Sequence, residues 1–276
     1  MILRTESSRS SQGFSITFFF SLPVEVSATV SLSIKARAAK KFRSNWLLLL
    51  AIFSNYQIEK MTDESTAHYK RQEFSLPKED GKSYSVMLLG STRSGKTTCM
   101  NWILNKYYKN EINVLMSDSL HAEIYKPLMK TMVPCPTFVP EIIKTCYKIN
   151  KGTDCKYQFN MILDYLVGYR NDKEMLKLLT IYRNSRVGTI ITAQATSILN
   201  NNGRSNINFV LLFKLNSDEQ IETVCKKFLA SFFPSHMRMV DKIIEYKRLT
   251  KDHHFIFLNN ITGEAYISKI NPVSDK

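Results

Sequence analysis

The sequence predicts an α/β fold: a mainly parallel central sheet flanked by helices, with a β-hairpin at the carboxyl end. Three observations predict it. Short apolar runs closed by polar or glycine-containing turns alternate with stretches of helical periodicity, the pattern of strand–helix–strand units. A glycine-containing loop sits between the first such strand and the first such helix. Near the end of the chain, two apolar runs are joined by a short polar turn ending in glycine, which is a hairpin signal.

Taken in order, residues Ser83–Leu89 form the first expected strand. Thr98–Tyr108 form the helix after it, with Met100, Ile103, Leu104 and Tyr107 at helical spacing. Asn113–Met116 is a second strand and Glu141–Asn150 a helix with an apolar face. Phe159–Asp164 is a strand closed by a carboxylate, and Val187–Gln194 is one closed by an amide. Residues Ile207–Phe213 follow as a β-rich run, then Asp218–Ala230 as a helix, and Lys242–Leu249 end another helix in basic residues. His254–Leu258 and Glu264–Ile270, joined by Asn259–Gly263, make the terminal hairpin.

Residues 1–60 are different material, holding eight Lys or Arg against three Glu, a Ser-rich start, and an apolar stretch from Phe14 to Ile34. That stretch has the length of a membrane span but carries Pro23, Glu25 and several Ser; the run Trp46–Phe53 is too short for one. Met61 opens a polar, start-like sequence, Met-Thr-Asp-Glu-Ser-Thr. The expected organisation is therefore a poorly ordered extension, or an artefact of gene prediction, over 1–60, and one catalytic domain over 61–276. A presequence or an anchor is the other reading of 1–60, and membrane association is not expected.

Over all 276 residues, 38 Lys and Arg exceed 24 Asp and Glu, for a net charge of +14, which favours a polyanionic partner. Five cysteines, Cys99, Cys135, Cys146, Cys155 and Cys225, are odd in number and lack any Cys-x-x-Cys pair. This excludes a dense disulfide scaffold and leaves reduced intracellular thiols as the plain reading.

The loop Gly90-Ser91-Thr92-Arg93-Ser94-Gly95-Lys96-Thr97 matches G-x-x-x-x-G-K-[ST] in full, with a strand before it and a helix after it. Each part has chemical work: the glycines let backbone N–H groups turn inward on phosphates, and the helix start, with Thr98 in its first turn, adds partial positive charge. Lys96 is expected on the β- and γ-phosphates and the Thr97 hydroxyl on Mg²⁺, so ATP with Mg²⁺ is the expected cofactor. Asp164, at the end of its strand, is the expected carboxylate for the metal; the competing reading is an ordinary core strand with a capping Asp. Tyr165 follows it where many such motors carry a second acid, so hydrolysis is less certain than binding; Asp172 and Glu174 are nearby substitutes in a segment that reads as loop. Gln194 is the expected nucleotide sensor, against a buried structural amide. Arg204 is the first choice for an arginine reaching a neighbouring subunit's nucleotide, against a solvated loop charge, and Arg183 and Arg186 are expected on an exposed helix end. His253-His254 tempts as a metal pair but reads better as strand-start histidines.

The order LLGSTRSGKTT, then FNMILDYLVG, then LLTIYRNSRVGTIITAQATSILNNNGRSNINFVLLFKL resembles the DNA-packaging ATPases of large eukaryotic DNA viruses, virophages and Polinton/Maverick transposons, within the FtsK/HerA-type group. The resemblance covers about residues 80–270 and is carried by Gly90–Thr97, Asp164, Arg183 or Arg186 through Gln194, and Arg204-Ser205-Asn206. It implies a RecA/ASCE-like P-loop NTPase that hydrolyses the β–γ bond of ATP to drive double-stranded DNA into a capsid. It also implies a homo-oligomeric ring, capsid proteins as further partners, and an intracellular place of work, in the nucleus or cytoplasm where virions assemble. Tyr165 departs from the family's acidic pair and fits a decayed, transposon-borne copy.

Three other nucleotide-binding classes fit less well. A GTPase needs Asn-Lys-x-Asp, which Asn150-Lys151-Gly152-Thr153-Asp154 misses by one residue. An ABC-type ATPase needs a Ser-Gly-Gly-Gln signature, and no two glycines are adjacent. A small-molecule P-loop kinase remains open but leaves the +14 charge without a use. A catalytically weakened, nucleotide-binding DNA-associated protein is the principal alternative, and Tyr165 motivates it.

Overall fold

The computed structural model describes residues 7–10, 13–16, 69–77, 79, 81–164, 169 and 172–270. The chain divides between His68 and Tyr69. In the first part the described residues are two antiparallel strands, β1 (Ser7–Ser10) and β2 (Gly13–Ile16), with Ser7 opposite Ile16. The expectations for the rest of 1–60, and for Tyr165, lie outside the described residues.

The second part is built on one eight-stranded sheet. Its strands are β3 (Ser85–Leu89), β4 (Ile112–Ser117), β5 (Val133–Cys135), β6 (Phe159–Asp164), β7 (Val187–Ala193), β8 (Phe209–Leu212), β9 (Phe255–Asn259) and β10 (Glu264–Ser268). Their order across the sheet is β10-β9-β8-β3-β7-β6-β4-β5. Every pairing from β8 to β5 is parallel, and β9 and β10 add antiparallel strands on one edge. The expected parallel-rich sheet and terminal hairpin are both present.

The helices are α1 (Lys96–Tyr107), α2 (Pro140–Gly152), α3 (Lys173–Thr180), α4 (Asn201–Ser205), α5 (Asp218–Lys227) and α6 (Met239–Leu249). Central strands buried on both faces read as continuous apolar runs, and here alternate residues feed two cores. Val86, Leu88, Leu115, Ile162 and Ile190 join Cys99, Met100, Ile103 and Leu104 of α1 on one face. Met87, Leu89, Met116, Leu163 and Ile191 join residues of α2, α3, α5 and α6 on the other.

Beyond β1 and β2, three elements were not expected, one of them the short α4, where a polar loop was expected. β5 is a three-residue edge strand with Pro134 at its centre, where a missing N–H is tolerated. α3 lies where a loop was expected: Asp172 caps it by accepting from the N–H groups of Glu174 (2.7 Å) and Met175 (3.1 Å), and Met175, Leu178 and Leu179 bury one face. Glu174 is buried and accepts from the Tyr182 hydroxyl (2.6 Å) and the Lys177 ammonium (2.8 Å). Neither acid is therefore placed to stand in for a second catalytic carboxylate, because both are spent on the helix and its packing.

Candidate functional site

The loop from Gly90 to Gly95 is pinned between two strand ends. Gly90 N–H donates to the Ala193 carbonyl at the end of β7 (3.0 Å), and Ser91 N–H donates to the Lys214 carbonyl beyond β8 (2.9 Å). Gly90 has to be glycine: a Cβ there would come within 2.6 Å of Phe213 Cβ and 2.7 Å of Ser94 Oγ. Gly95 caps α1 with φ of 101°, a left-handed conformation that costs other residues strain. Arg93 is also left-handed, at φ 61°. The loop thus leads into the α1 N-terminus, where N–H groups without helical partners favour an anion.

Lys96, 4% exposed, folds back into the loop and donates to the carbonyls of Gly90 (2.7 Å) and Ser91 (2.8 Å). Burial pushes its ammonium down from 10.5 to about 8, and the charge of Asp164 pulls the other way. That attraction places the two groups within electrostatic reach. The Ser94 hydroxyl is buried inside the same loop without a hydrogen-bond partner.

Register explains why Asp164 faces the loop. Ser117, Asp164, Thr192 and Leu88 are successive partners across β4, β6, β7 and β3, so they form one row at the carboxyl edge of the sheet. Two strand spacings separate Asp164 from Leu88, about 10 Å between backbones. By alternation, Asp164 shares its side of β6 with Ile162, whose core includes α1; its carboxylate is on the face of the phosphate loop. It is fully buried and accepts hydrogen bonds from the hydroxyls of Tyr125 and Thr192. Tyr125 sits in a short 3-10 turn, Glu123–Tyr125, and burial together with Asp164 raises its phenol far above the ordinary tyrosine value. Ser117, also fully buried, bonds the Ser119 hydroxyl (3.1 Å). The half-buried Thr97 hydroxyl in the first turn of α1 and the Asp164 carboxylate are both hard oxygen donors, the kind Mg²⁺ prefers. Their chemistry fits that ion.

The remaining expectations divide. Gln194 lies one residue beyond β7, which ends at Ala193, and it is exposed. It is therefore not the buried, backbone-satisfied amide of the competing reading, and it follows directly the residue that holds Gly90. Thr92, Arg93 and Thr98 are exposed around the loop mouth. Arg204 in α4 turns onto its own loop, donating to the carbonyls of Thr196 (3.0 Å) and Leu199 (2.6 Å) and to Asn201 Oδ1. Two residues on, the Asn206 carbonyl accepts from the Ser85 hydroxyl (2.8 Å), at the amino end of β3. Ser85 lies five residues, about 16 Å, from Gly90. Arg183 and Arg186 brace that same amino edge, donating to the carbonyls of Asn206 (3.4 Å) and Cys155 (3.2 Å), and are not a free basic helix end. Asn150 is fully buried and pins Tyr157 and Ser185 at 2.7–2.8 Å, a structural role that leaves it no part in reading a base. In the last turn of α6, Lys247 pairs with Asp218 (2.5 Å) and Arg248 with Glu245 (2.5 Å), so these two cations are engaged within the protein. His253 and His254 precede β9, and among the described residues no group of three or more His, Cys, Asp or Glu is placed to hold a metal.

Sequence reasoning missed Tyr125, Thr192, Ser117 and Asp118. Thr192 carried a signal, a polar residue in the buried run of β7 two positions before Gln194. Asp118 follows Ser117, the register partner of Asp164, which puts its backbone about 6 Å from that of Asp164. It is exposed, in a turn. Tyr125 gave no signal, because it sits in an irregular segment.

Strand order, loop and facing carboxylate define the class: a P-loop NTPase fold with a RecA/ASCE-like, mainly parallel sheet. No family model matches the chain, and no curated protein sequence does. Among solved structures it is similar to the genome packaging NTPase B204 of Sulfolobus turreted icosahedral virus 2 in complex with AMPPCP, at 15% identity and TM-score 0.49, covering 68% of this chain and 98% of that one. It is also similar to B204, the DNA-packaging ATPase of Sulfolobus turreted icosahedral virus, at 14% and 0.48 over 68% and 98%. A third similarity is to the cytoplasmic domain of the Thermomonospora curvata type VII secretion ATPase EccC, at 10% and 0.46, covering 70% of this chain and 26% of that one. Among the described residues no helix is long and apolar enough to cross a membrane.

Proposed function

We propose that this chain is an ATP-driven motor that translocates double-stranded DNA, of the packaging type, acting as a ring of identical subunits. The observation that carries the proposal is the placement of Asp164 on the α1 face of the sheet, two strands from the loop that buries Lys96. Backbone N–H groups of Gly90–Thr98 would cradle the triphosphate, with Lys96 moving from its loop carbonyls onto the β- and γ-phosphates. Bound Mg²⁺, held by Thr97 and Asp164, would neutralise charge on those phosphates. Tyr125 and Thr192 fix the Asp164 carboxylate in one orientation. Asp118, in the turn directly after β4 and its Ser117 partner of Asp164, is our choice for the carboxylate that polarises the attacking water, in the place left by Tyr165. Gln194, beside the first glycine, would sense the γ-phosphate. Arg204 lies towards the edge away from its own loop, so a nucleotide it touches belongs to a neighbouring subunit.

With a net charge of +14, the protein would hold duplex phosphates largely without reading sequence, so affinity should fall steeply with salt. The second reading, a nucleotide-binding DNA-associated protein with weakened turnover, is favoured by Tyr165. One experiment separates them: steady-state ATP hydrolysis with and without duplex DNA, for wild type and Lys96→Ala. DNA-stimulated hydrolysis lost in the variant supports the motor; ATP binding with no hydrolysis supports the second reading.

A further inference from the structure

The position of Asp164 gives the phosphate loop a direction. A metal held by Thr97 and Asp164 would favour the γ end of a bound nucleotide on the β7–β6 side of β3. The nucleoside end must then leave on the opposite flank, towards β8 and β9. The β9 strand starts at that flank: Ile256 pairs with Leu212 at the end of β8, and Lys214 beyond it holds Ser91. Immediately before β9, the turn Lys251–His254 reaches the loop itself. His253 Nδ1 lies 3.4 Å from the Ser94 carbonyl and 3.4 Å from where a Cβ on Gly95 would be. Glycine at 95 is favoured by its φ, and the His253 ring lies in van der Waals contact with that position. Asp252 and His253 are both left-handed, at φ 54° and 63°, conformations unfavourable for L-residues that persist only where the surroundings impose them. Both remain exposed, so this turn is not held in place by burial. His254 in the same turn, with Arg71, Gln72, Ile267, Ser268 and Lys269, lines a surface groove of about 270 Å³.

We propose that His253 is the nucleoside-side contact of the phosphate loop, its imidazole packing against the base and ribose of the bound nucleotide. This rests on the reading of Gly90–Thr97 as the phosphate cradle. The test is titration calorimetry with Mg²⁺ and three probes, ATP, ADP and inorganic tripolyphosphate, on wild type, His253→Asn, His253→Phe and Lys96→Ala. Asn removes the ring while tolerating the left-handed backbone; Phe restores a ring without nitrogen. The expected result is an about tenfold loss of ATP and ADP affinity in His253→Asn, the scale of one base–aromatic stack, recovered in His253→Phe, with tripolyphosphate unchanged in both. Equal losses for ATP and tripolyphosphate, or no loss for any probe, would overturn the assignment of His253. If Lys96→Ala binds all three as wild type does, the phosphate-cradle reading is at fault instead.

Discussion

Lys96 offers the sharpest quantitative prediction, because its burial sets how ATP binding responds to pH. In the ligand-free loop its ammonium is held near 8 by desolvation, well below the ordinary 10.5. A triphosphate placed against it favours the charged form and restores the proton affinity. The sign follows from which state binds more protons. Below pH 8 both states carry the charge and affinity is flat; above it the free loop is neutral, binding takes up one proton, and affinity drops about tenfold per pH unit. Between pH 7 and 9.5 the dissociation constant for Mg-ATP should rise about thirtyfold, roughly 2 kcal/mol, less whatever solvent screening at the loop mouth removes. The phosphates of ATP are already fully ionised over this range. The assay is titration calorimetry at several pH values in buffers of different ionisation enthalpy, which reads proton uptake directly. Lys96→Arg is the control, since a guanidinium stays charged throughout. A wild-type affinity flat to pH 9.5, or the same slope in Lys96→Arg, would refute the argument that burial of this amine governs binding.

Gly90→Ala forces a Cβ against Phe213 and Ser94, and should lower stability by about 1–3 kcal/mol in urea denaturation while abolishing ATP binding. Asp118→Asn should cut hydrolysis at least about a hundredfold and leave ATP affinity within about twofold, measured by single-turnover kinetics and calorimetry; unchanged turnover would remove Asp118 from the mechanism. Glu174→Ala, by contrast, should cost about 1–3 kcal/mol of stability through Tyr182 and leave hydrolysis per folded molecule unchanged. Tyr125→Phe removes the phenol from Asp164 and should destabilise by about 1.5–3 kcal/mol, the scale of a hydrogen bond to a charged group; wild-type stability would show that Thr192 suffices.

How much of this was legible beforehand depended on whether the information was local. The phosphate loop was, because glycine positions, lysine and flanking strand and helix are fixed by neighbours in the chain. The seven expected strands and the helices among them followed from apolar periodicity, with ends off by up to three residues, as with Gln194 just past β7 and the Asp218 helix ending at Lys227. Two local readings changed once partners distant in the chain were in view, and the partners of a third residue came to light. Asp172 and Glu174 read as loop acids because the helix they begin is only eight residues long; Met175, Leu178 and Leu179 at helical spacing, packed on the core, reveal it. Arg183 and Arg186 read as available charges because a guanidinium's carbonyl partners come from distant or irregular backbone, which also supplies the partners of Arg204.

The sequence by itself determined that a glycine-bounded loop would join a buried strand to a helix start, that a carboxylate would end another buried strand, and that the sheet would be largely parallel. Only the tertiary structure decided which row of the sheet that carboxylate joined, and that Tyr125, Thr192 and His253 would meet the site. Strand order and register are set by packing among segments far apart in the chain. A one-residue shift in β6 would have turned Asp164 away from α1 without changing a single local preference.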